Sequence, residues 1–194
     1  MKRSWVAAVG LVLLAACSSG TREPSPGSGA AFEVPPTSPL ATYDRSRVDG
    51  YSLDYPSDWT KEKLSANCPA QVCFFAPEQD GQVPAVIAVH GQGWRARKDL
   101  QAAWDTQRQF AVAAFGGQPR MVPRTQGDTT LGGTEAKTAT YTLDWGLIPA
   151  TARQTMVLRD GKSGLVLREM AATDIWDGLN PVFEQVEASF TVGT

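Results

Sequence analysis

The chain has 194 residues, with 18 basic and 20 acidic side chains, a formal net charge of −2 and a hydrophobic fraction of 42%. These values are typical of one globular domain and exclude an intrinsically disordered chain. The slight acidity also excludes the strongly basic face of nucleic-acid-binding proteins, so no nucleic acid partner is expected.

The first seventeen residues have the pattern of an export signal. Lys2 and Arg3 precede an apolar run from Trp5 to Ala16, and small residues stand at the expected cleavage site. The run is shorter than the roughly 20 residues that cross a bilayer, so it predicts a cleaved signal over residues 1–16.

The end of this signal, Leu14–Cys17, resembles the lipobox of bacterial lipoproteins. The resemblance implies cleavage between Ala16 and Cys17 and a diacylglyceryl group on the Cys17 thiol. Two acyl chains hold a protein stably at a bilayer, whereas one chain binds only marginally. We therefore expect a lipid anchor on the outer face of the bacterial cell membrane. The alternative is an ordinary secretory signal followed by an incidental cysteine.

Residues 17–42 are rich in Ser, Gly and Pro and predict a flexible tether after the lipidated cysteine. About 25 such residues reach roughly 25–30 Å. Loss of Lys2 and Arg3 leaves 16 basic against 20 acidic residues, a formal charge of −4, and no polybasic patch for anionic lipid. One globular domain is expected over residues 43–194.

Alternating or continuous apolar segments predict a mostly antiparallel sheet within this domain. The segment from Pro84 to His90 is almost wholly apolar, as in a central strand covered on both faces. Asp160-Gly161 is a strong signal for a hairpin turn. The predicted strands are Tyr51–Tyr55, Val72–Ala76, Pro84–His90, Thr134–Leu143, Ala150–Arg159 and Ser163–Met170.

Two helices are predicted. Asp99 is placed to cap the first, which would run to about Phe115 before two glycines. The second would begin with Asn180 as its cap and Pro181 at its first position. Its inward face would be formed by Phe183, Val186 and Phe190. A sheet with two separate helices indicates an α+β fold, an antiparallel β-sheet flanked by helices.

Cys68 and Cys73 are the two cysteines that remain after Cys17. Outside the cytoplasm such a pair most simply forms a disulfide, and the short loop predicts about 2 kcal/mol of stabilisation. Metal ligation is the alternative, but the spacing is not C-x-x-C and the chain has no second pair. The sequence predicts neither a metal site nor a cofactor.

Several motifs in sequence order resemble the Mog1/PsbP-like superfamily, which includes the PsbP, DcrB and LpqN-type proteins. The resemblance extends from Gly50 to Val192 and implies an α/β/α sandwich on an antiparallel sheet. It carries no shared catalytic set, and it implies structural roles for Pro56, Trp59, Gly132 and Phe190. The matching pieces are Tyr51–Pro56 with Trp59, Leu131–Ala136 with Tyr141, Gly161–Leu167 and Phe183–Phe190.

His90 is the only histidine and could act as a general base. That role needs a positioned nucleophile and an orienting acid, and the sequence shows no G-x-S-x-G motif that would supply them. A hydrogen-bonded structural histidine is the simpler interpretation.

Apolar residues also stand where turns are predicted. These side chains either fold back to seal the sheet or form a contact site for a partner protein or an acyl chain. The candidate contact residues are Trp94, Trp145, Leu147, Ile148 and Trp176.

The leading functional hypothesis is a membrane-anchored, non-enzymatic accessory module that binds envelope proteins or lipids. A carrier of a small apolar ligand or lipid is the second hypothesis, and an apolar cavity of about 300 Å³ or more would favour it. A hydrolase that uses His90 is the third. The composition, together with the lipobox, suggests an actinobacterial source.

Overall fold

The structure of this chain is a computed structural model. It describes residues 31–46, 49–93, 99–106, 121–145, 148–159 and 163–193, with the backbone alone at 92–93, 121–123, 145, 159 and 163.

Within these ranges, ten strands form two sheets in which every pairing is antiparallel. The smaller sheet has the order β1-β2-β10, and the larger has the order β3-β4-β5-β9-β8-β7-β6. The strands are β1 (Leu40–Asp44), β2 (Tyr51–Pro56), β3 (Thr60–Glu62), β4 (Val72–Phe75), β5 (Ala85–Gly93), β6 (Met121–Leu131), β7 (Thr134–Trp145), β8 (Ile148–Arg159), β9 (Ser163–Ala172) and β10 (Thr191–Val192).

Helices cover both faces of the seven-stranded sheet. Helix α1, described over residues 100–106, lies on one face, where Ala103 and Trp104 pack against Tyr141 and other side chains of β7, β8 and β9. Helix α2 (Trp176–Ser189) and the three-stranded sheet lie on the other face. The fold is therefore α+β, with an antiparallel sheet between helices, as the sequence predicts.

The main core lies between the seven-stranded sheet, α2 and the three-stranded sheet. Leu165 and Leu167 of β9 enter this core together with Phe183 and Val186 of α2. Val166, between the two leucines, packs on the opposite face with α1. This alternation follows from the two-residue period of a strand, and all the strands predicted from it are present.

Helix α2 begins five residues earlier than predicted. Its cap is Ile175, and Pro181 lies inside the helix instead of at its first position. Ile175 and Leu179 are buried in the main core, so the apolar stripe extends one turn before Asn180. Burial of this turn offsets the hydrogen bond that a proline inside a helix removes.

Phe190 is not part of the inward helical face, because it is the C-cap residue with an extended backbone (ψ 128°). Its ring nevertheless lies in the core, stacked on Tyr51 with ring centroids 5.7 Å apart. The backbone of Gly132 passes so close that an added Cβ would lie 2.6 Å from the Phe190 carbonyl oxygen. The Phe190 and Gly132 positions therefore have the structural roles that the resemblance implies.

Contacts with the rest of the domain begin before Tyr43. Strand β1 begins at Leu40 and pairs with β2, although residues up to 42 have the composition of a tether. The side chain of Phe32 packs against the main core, and Pro35 is buried. The prolines before β1 obscure the pattern that would predict a strand. The strand nevertheless forms, because its backbone pairs with β2.

Asp99 caps helix α1 as predicted, with its Oδ1 accepting the Ala102 N–H at 2.7 Å. The predicted continuation to Phe115 lies outside the described residues. Strands β1, β3, β6 and β10 were not predicted, and β6 begins at Met121, four residues after the second of the two glycines that were expected to end the helix.

Candidate functional site

A hydrogen-bonded pair of ionisable side chains lies between α2 and the sheet. Arg153 of β8 and Glu169 of β9 are directly opposite each other in the antiparallel register. The Arg153 Nε–H donates to Glu169 Oε2 at 2.7 Å, and the Glu169 side chain is 1% exposed. Residues paired directly across two strands share one face, so both side chains lie under α2.

A second carboxylate joins this pair from α2. Glu187 Oε1 lies 3.2 Å from Arg153 Nε and accepts the Thr155 hydroxyl at 3.0 Å. Thr155 in turn shares a hydrogen bond with Thr138 of β7. Polar contacts therefore connect three strands and the last turn of the helix.

The first half of α2 contacts the other side of Arg153. Its Nη1 donates to Asn180 Oδ1 at 3.1 Å, and the Asn180 amide donates to Glu184. The Arg153 guanidinium also lies 6.0 Å from the ring centroid of Trp176, within range of a cation–π contact. We name Arg153, Glu169, Glu187, Asn180 and Trp176 the α2–sheet cluster.

Burial, reinforced by the charge of Glu187, raises the pKa of Glu169 to about 8, against the lowering effect of Arg153. Glu169 Oε1 and Arg153 Nη2 are both buried, and neither has a hydrogen-bond partner among the described residues. The cluster can hold a proton near neutral pH, as general acids do. Its central atoms are closed to a substrate in this conformation, because Glu169 is almost fully buried.

The sequence analysis did not single out this cluster. Its signal is an arginine in one strand of a predicted hairpin and a glutamate in the other, at positions that face each other in the antiparallel register. Arg159 pairs with Ser163, and the same register pairs Arg153 with Glu169.

The opposite face of the sheet carries His90 of β5 and Arg168 of β9. Burial, with a contribution from the Arg168 charge, lowers the pKa of His90 to about 4. The residue opposite His90 on β9 is Val166, and Arg168 donates to Gln154 at 3.1 Å. His90 is therefore neutral at physiological pH, and its cross-strand neighbour is apolar.

Cys68 and Cys73 form a disulfide, with Cα atoms 5.7 Å apart. Both are buried against Val86, Ala88 and their neighbours on the α1 side of the sheet. The bond joins the loop before β4 to β4 itself, and this part of the structure agrees with the pairing expected from the sequence.

The structure places some of the predicted contact residues near one end of the sheet. Ile148 opens β8, and both Ile148 and Trp176 are half-buried against the main core. Trp145 ends β7 opposite Ile148, with only its backbone described. Trp94 and Leu147 lie outside the described residues, as does Cys17. Ile148 and Trp176 therefore help to seal the core at the positions where a contact site was expected.

A cleft of about 200 Å³ opens between α1 and the outer strands β6 and β7. An ion pair between Lys137 and Asp128 lies at its edge. Its lining residues are Gln101, Trp104, Gln126, Gly127, Asp128 and Lys137.

Within the described ranges, no group of three or more His, Cys, Asp and Glu side chains is placed to hold a metal ion. In the same part of the chain, no helix has the length and apolar character needed to cross a bilayer.

No protein-family model matches this sequence. No curated protein matches it either.

Solved structures do resemble it. PsbP (CyanoP) from Synechocystis sp. PCC 6803 is 21% identical, and the match covers 87% of this chain and 99% of that chain with a TM-score of 0.60. LpqN, involved in cell envelope biogenesis of Mycobacterium tuberculosis, is 17% identical, covering 80% and 91% of the two chains with a TM-score of 0.57. The Ran-binding protein Mog1p from Saccharomyces cerevisiae is 10% identical, covering 80% and 96% with a TM-score of 0.56.

At these identities the likeness concerns the fold, because one fold hosts many functions. The two helices, the antiparallel seven-stranded sheet and the three structural matches agree on one architecture: the chain has the Mog1/PsbP-like fold.

Proposed function

We propose that this protein is an exported lipoprotein that acts as a non-enzymatic binding module on the outer face of the cell membrane. Its partner would be an envelope protein or a lipid. The lipid on Cys17 would keep the domain at the membrane, and residues 18–30 would serve as the tether.

The proposed export and anchoring are supported by the order of residues before Cys17. A basic start, an apolar run and Leu14-Ala15-Ala16 precede the cysteine, as in lipoprotein signals. The disulfide between Cys68 and Cys73 also suits an oxidising compartment outside the cytoplasm. LpqN, which shares the fold, is involved in cell envelope biogenesis.

The observation that carries the non-enzymatic part is the placement of the ionisable groups. Arg153 contacts both Glu169 and Glu187 between α2 and the sheet, so these three side chains connect the two layers. His90 has a pKa of about 4 and faces Val166 across the strand pair. A general base works best when its pKa lies near the operating pH, so His90 is poorly suited to that role.

A binding role also agrees with the fold, since Mog1p is a Ran-binding protein. Ile148 and Trp176 are the described candidates for a contact surface. The carrier alternative gains no support from the cleft beside α1, because that cleft is lined mainly by polar and charged side chains and has a volume of about 200 Å³.

Fractionation of cells that make the Cys17→Ser variant tests the anchor. The wild-type chain should stay in the membrane fraction, and the variant should move to the soluble fraction. A Ser18→Ala variant is the matched control and should remain with the membrane. Retention of Cys17→Ser in the membrane would refute lipid anchoring.

Photo-crosslinking on intact cells tests the binding role. A crosslinking residue at Asp177, an exposed position beside Trp176, should capture one defined envelope component. The same residue at Gln185, exposed two turns later on α2, provides the control. Turnover of a defined substrate by the purified domain, lost on replacement of a single polar side chain, would contradict the proposal.

A further inference from the structure

Residues 31–39, which we name the strap, lie against the domain before β1 begins. The Phe32 N–H donates to Asp174 Oδ2 at 3.0 Å. Glu33 and Gln79 form two reciprocal bonds, from the Glu33 N–H to Gln79 Oε1 at 2.8 Å and from the Gln79 amide to the Glu33 carbonyl at 2.7 Å. The start of the strap is thus bound to the turn before α2 and to the connection between β4 and β5.

Side chains also hold the strap. Val34 occupies a notch at Gly178 in the first turn of α2, where an added Cβ would lie 2.5 Å from a Val34 methyl carbon. At the other end of the strap, Ser38 bonds to Asp58, and the Ser57 N–H donates to the Pro39 carbonyl at 2.9 Å. The strap therefore crosses one end of the domain, from α2 to the turn after β2.

This end, which we name the near end, comprises residues 31–35, 76–84 and 172–178 with the start of β8. The Thr173 N–H donates to the Pro149 carbonyl, which joins the start of β8 to the turn before α2. The opposite, far end comprises the turn at Gly132 and the contact of Gly193 with Gly50. Strand β7 runs between the two ends with 12 residues, or roughly 37 Å.

The strap shortens the chain available as a tether. Thirteen residues, 18–30, separate Cys17 from Ala31. A flexible Gly/Ser-rich chain of this length has a typical end-to-end distance of roughly 20 Å, which is shorter than the distance between the two ends of the domain. A lipid on Cys17 would therefore keep the near end closer to the bilayer than the far end.

Charge decides whether the near end adheres to lipid. Exposed carboxylates surround it, and the three segments that define it contain no Lys or Arg. Anionic headgroups repel such a surface within a Debye length of about 10 Å at 0.1 M salt. The carboxylates are those of Glu33, Glu78, Asp80, Asp174 and Asp177.

We propose that the domain is held with its near end toward the bilayer, at a distance set by the short tether, and with its far end directed away from it. This inference rests on the proposed lipid anchor at Cys17. Ile148 and Trp176 lie at the near end, so a partner that contacts them sits at the membrane surface and not deeper in the envelope.

Energy transfer on vesicles tests this orientation. The mature lipidated protein, which begins at Cys17, is placed in vesicles of zwitterionic phospholipid or of anionic phospholipid, each carrying a headgroup acceptor dye. A donor dye is attached to an introduced cysteine in Glu78→Cys at the near end or in Glu135→Cys at the far end; both positions are exposed. With Cys17 lipidated and Cys68 paired with Cys73, the introduced cysteine is the one free thiol.

Transfer should be at least about twofold more efficient from residue 78 than from residue 135, because strand β7 separates the two ends by roughly 37 Å. Equal transfer from the two positions, or stronger transfer from residue 135, would overturn the orientation. Failure of the protein to bind either kind of vesicle would instead refute the lipid anchor, and with it the basis of the orientation. Insertion of 20 Gly/Ser residues after Gly29 should weaken transfer from residue 78.

Discussion

Arg153 and Glu169 face each other across strands β8 and β9, and their side chains meet at 2.7 Å beneath helix α2. Glu187 and Asn180 contact the same arginine from the helix. The placement of α2 on the sheet therefore depends on a polar cluster as well as on the apolar core. When ionisable groups are buried in this way, the free energy of unfolding depends strongly on pH and on whether each group keeps its partner.

Replacement of Glu169 by Gln should change how stability depends on pH. The folded pKa of Glu169 is about 8, against an unfolded value of 4.5. The unfolded chain loses this proton near pH 4.5, whereas the folded protein keeps it until about pH 8. The stabilisation that the protonated Glu169 contributes is therefore complete below pH 4.5 and is lost as the pH rises to about 8. The free energy of unfolding should fall by up to roughly 1.4 kcal/mol per pH unit in this window from this group.

Urea unfolding of the wild-type and Glu169→Gln proteins at pH 5 to 9 measures this effect. The stability of the wild type relative to the variant should decrease steadily with rising pH. A constant difference across the range would show that Glu169 is not protonated in the folded protein.

Arg153→Met should destabilise the protein by about 2–3 kcal/mol, since it removes donors to three side chains and leaves the buried Glu169 carboxyl group without its hydrogen-bond partner. The double variant Arg153→Met/Glu169→Leu should recover at least about 1 kcal/mol, because apolar residues of similar volume replace a buried pair with little loss. Equilibrium unfolding of Arg153→Met, Glu169→Leu and the double variant gives the interaction energy between the two side chains. Additive effects would contradict a direct interaction.

Gly132→Ala should cost more stability than Gly133→Ala. Both glycines have positive φ values, 59° and 73°, which cost an L-residue roughly 1–2 kcal/mol. At Gly132 the new Cβ would also collide with the Phe190 carbonyl, whereas nothing lies within 4 Å at Gly133. The collision should add on the order of 1–3 kcal/mol. Thermal unfolding of both variants measures the difference, and equal losses would contradict the close packing of this turn on Phe190.

Removal of the disulfide in Cys68→Ala/Cys73→Ala should lower stability by about 2 kcal/mol, the value expected for so short a loop. A reducing agent should lower the free energy of unfolding of the wild-type protein by a similar amount and leave that of the variant unchanged. Equal sensitivity of the two proteins to the reducing agent would show that the bond does not form in solution.

The sequence predicts strands well where burial follows a simple period. Tyr51 and Leu53 alternate with polar residues in β2, and Val72–Phe75 is a short apolar run that becomes β4. Such patterns depend on local contacts between neighbouring positions on one face. The positions of the six predicted strands, and with them the fold class, could be derived in this way.

The start of α2 could not be derived from local signals. Asn180 and Pro181 form a good helix start by composition, yet Ile175 and Leu179 extend the helix because the core receives them. Tertiary burial outweighed the local preference of the proline. Strand β1 was missed for a similar reason, because its pairing with β2 is a contact that its own sequence does not reveal.

The α2–sheet cluster was missed because it depends on register. Arg153 and Glu169 are 16 residues apart and meet only when β8 and β9 pair across their turn. A search for charged residues at opposed positions in predicted hairpins would have found them. The partners Glu187 and Asn180 depend further on how α2 packs, which the sequence pattern does not determine.

The central claim, a lipid-anchored module, is tested most directly by mass spectrometry of the N-terminal tryptic peptide of the mature protein. The account predicts a peptide that begins at Cys17, ends at Arg22 and carries a diacylglyceryl group on the cysteine sulfur. An unmodified Cys17, or a mature chain that begins at another residue, would contradict it.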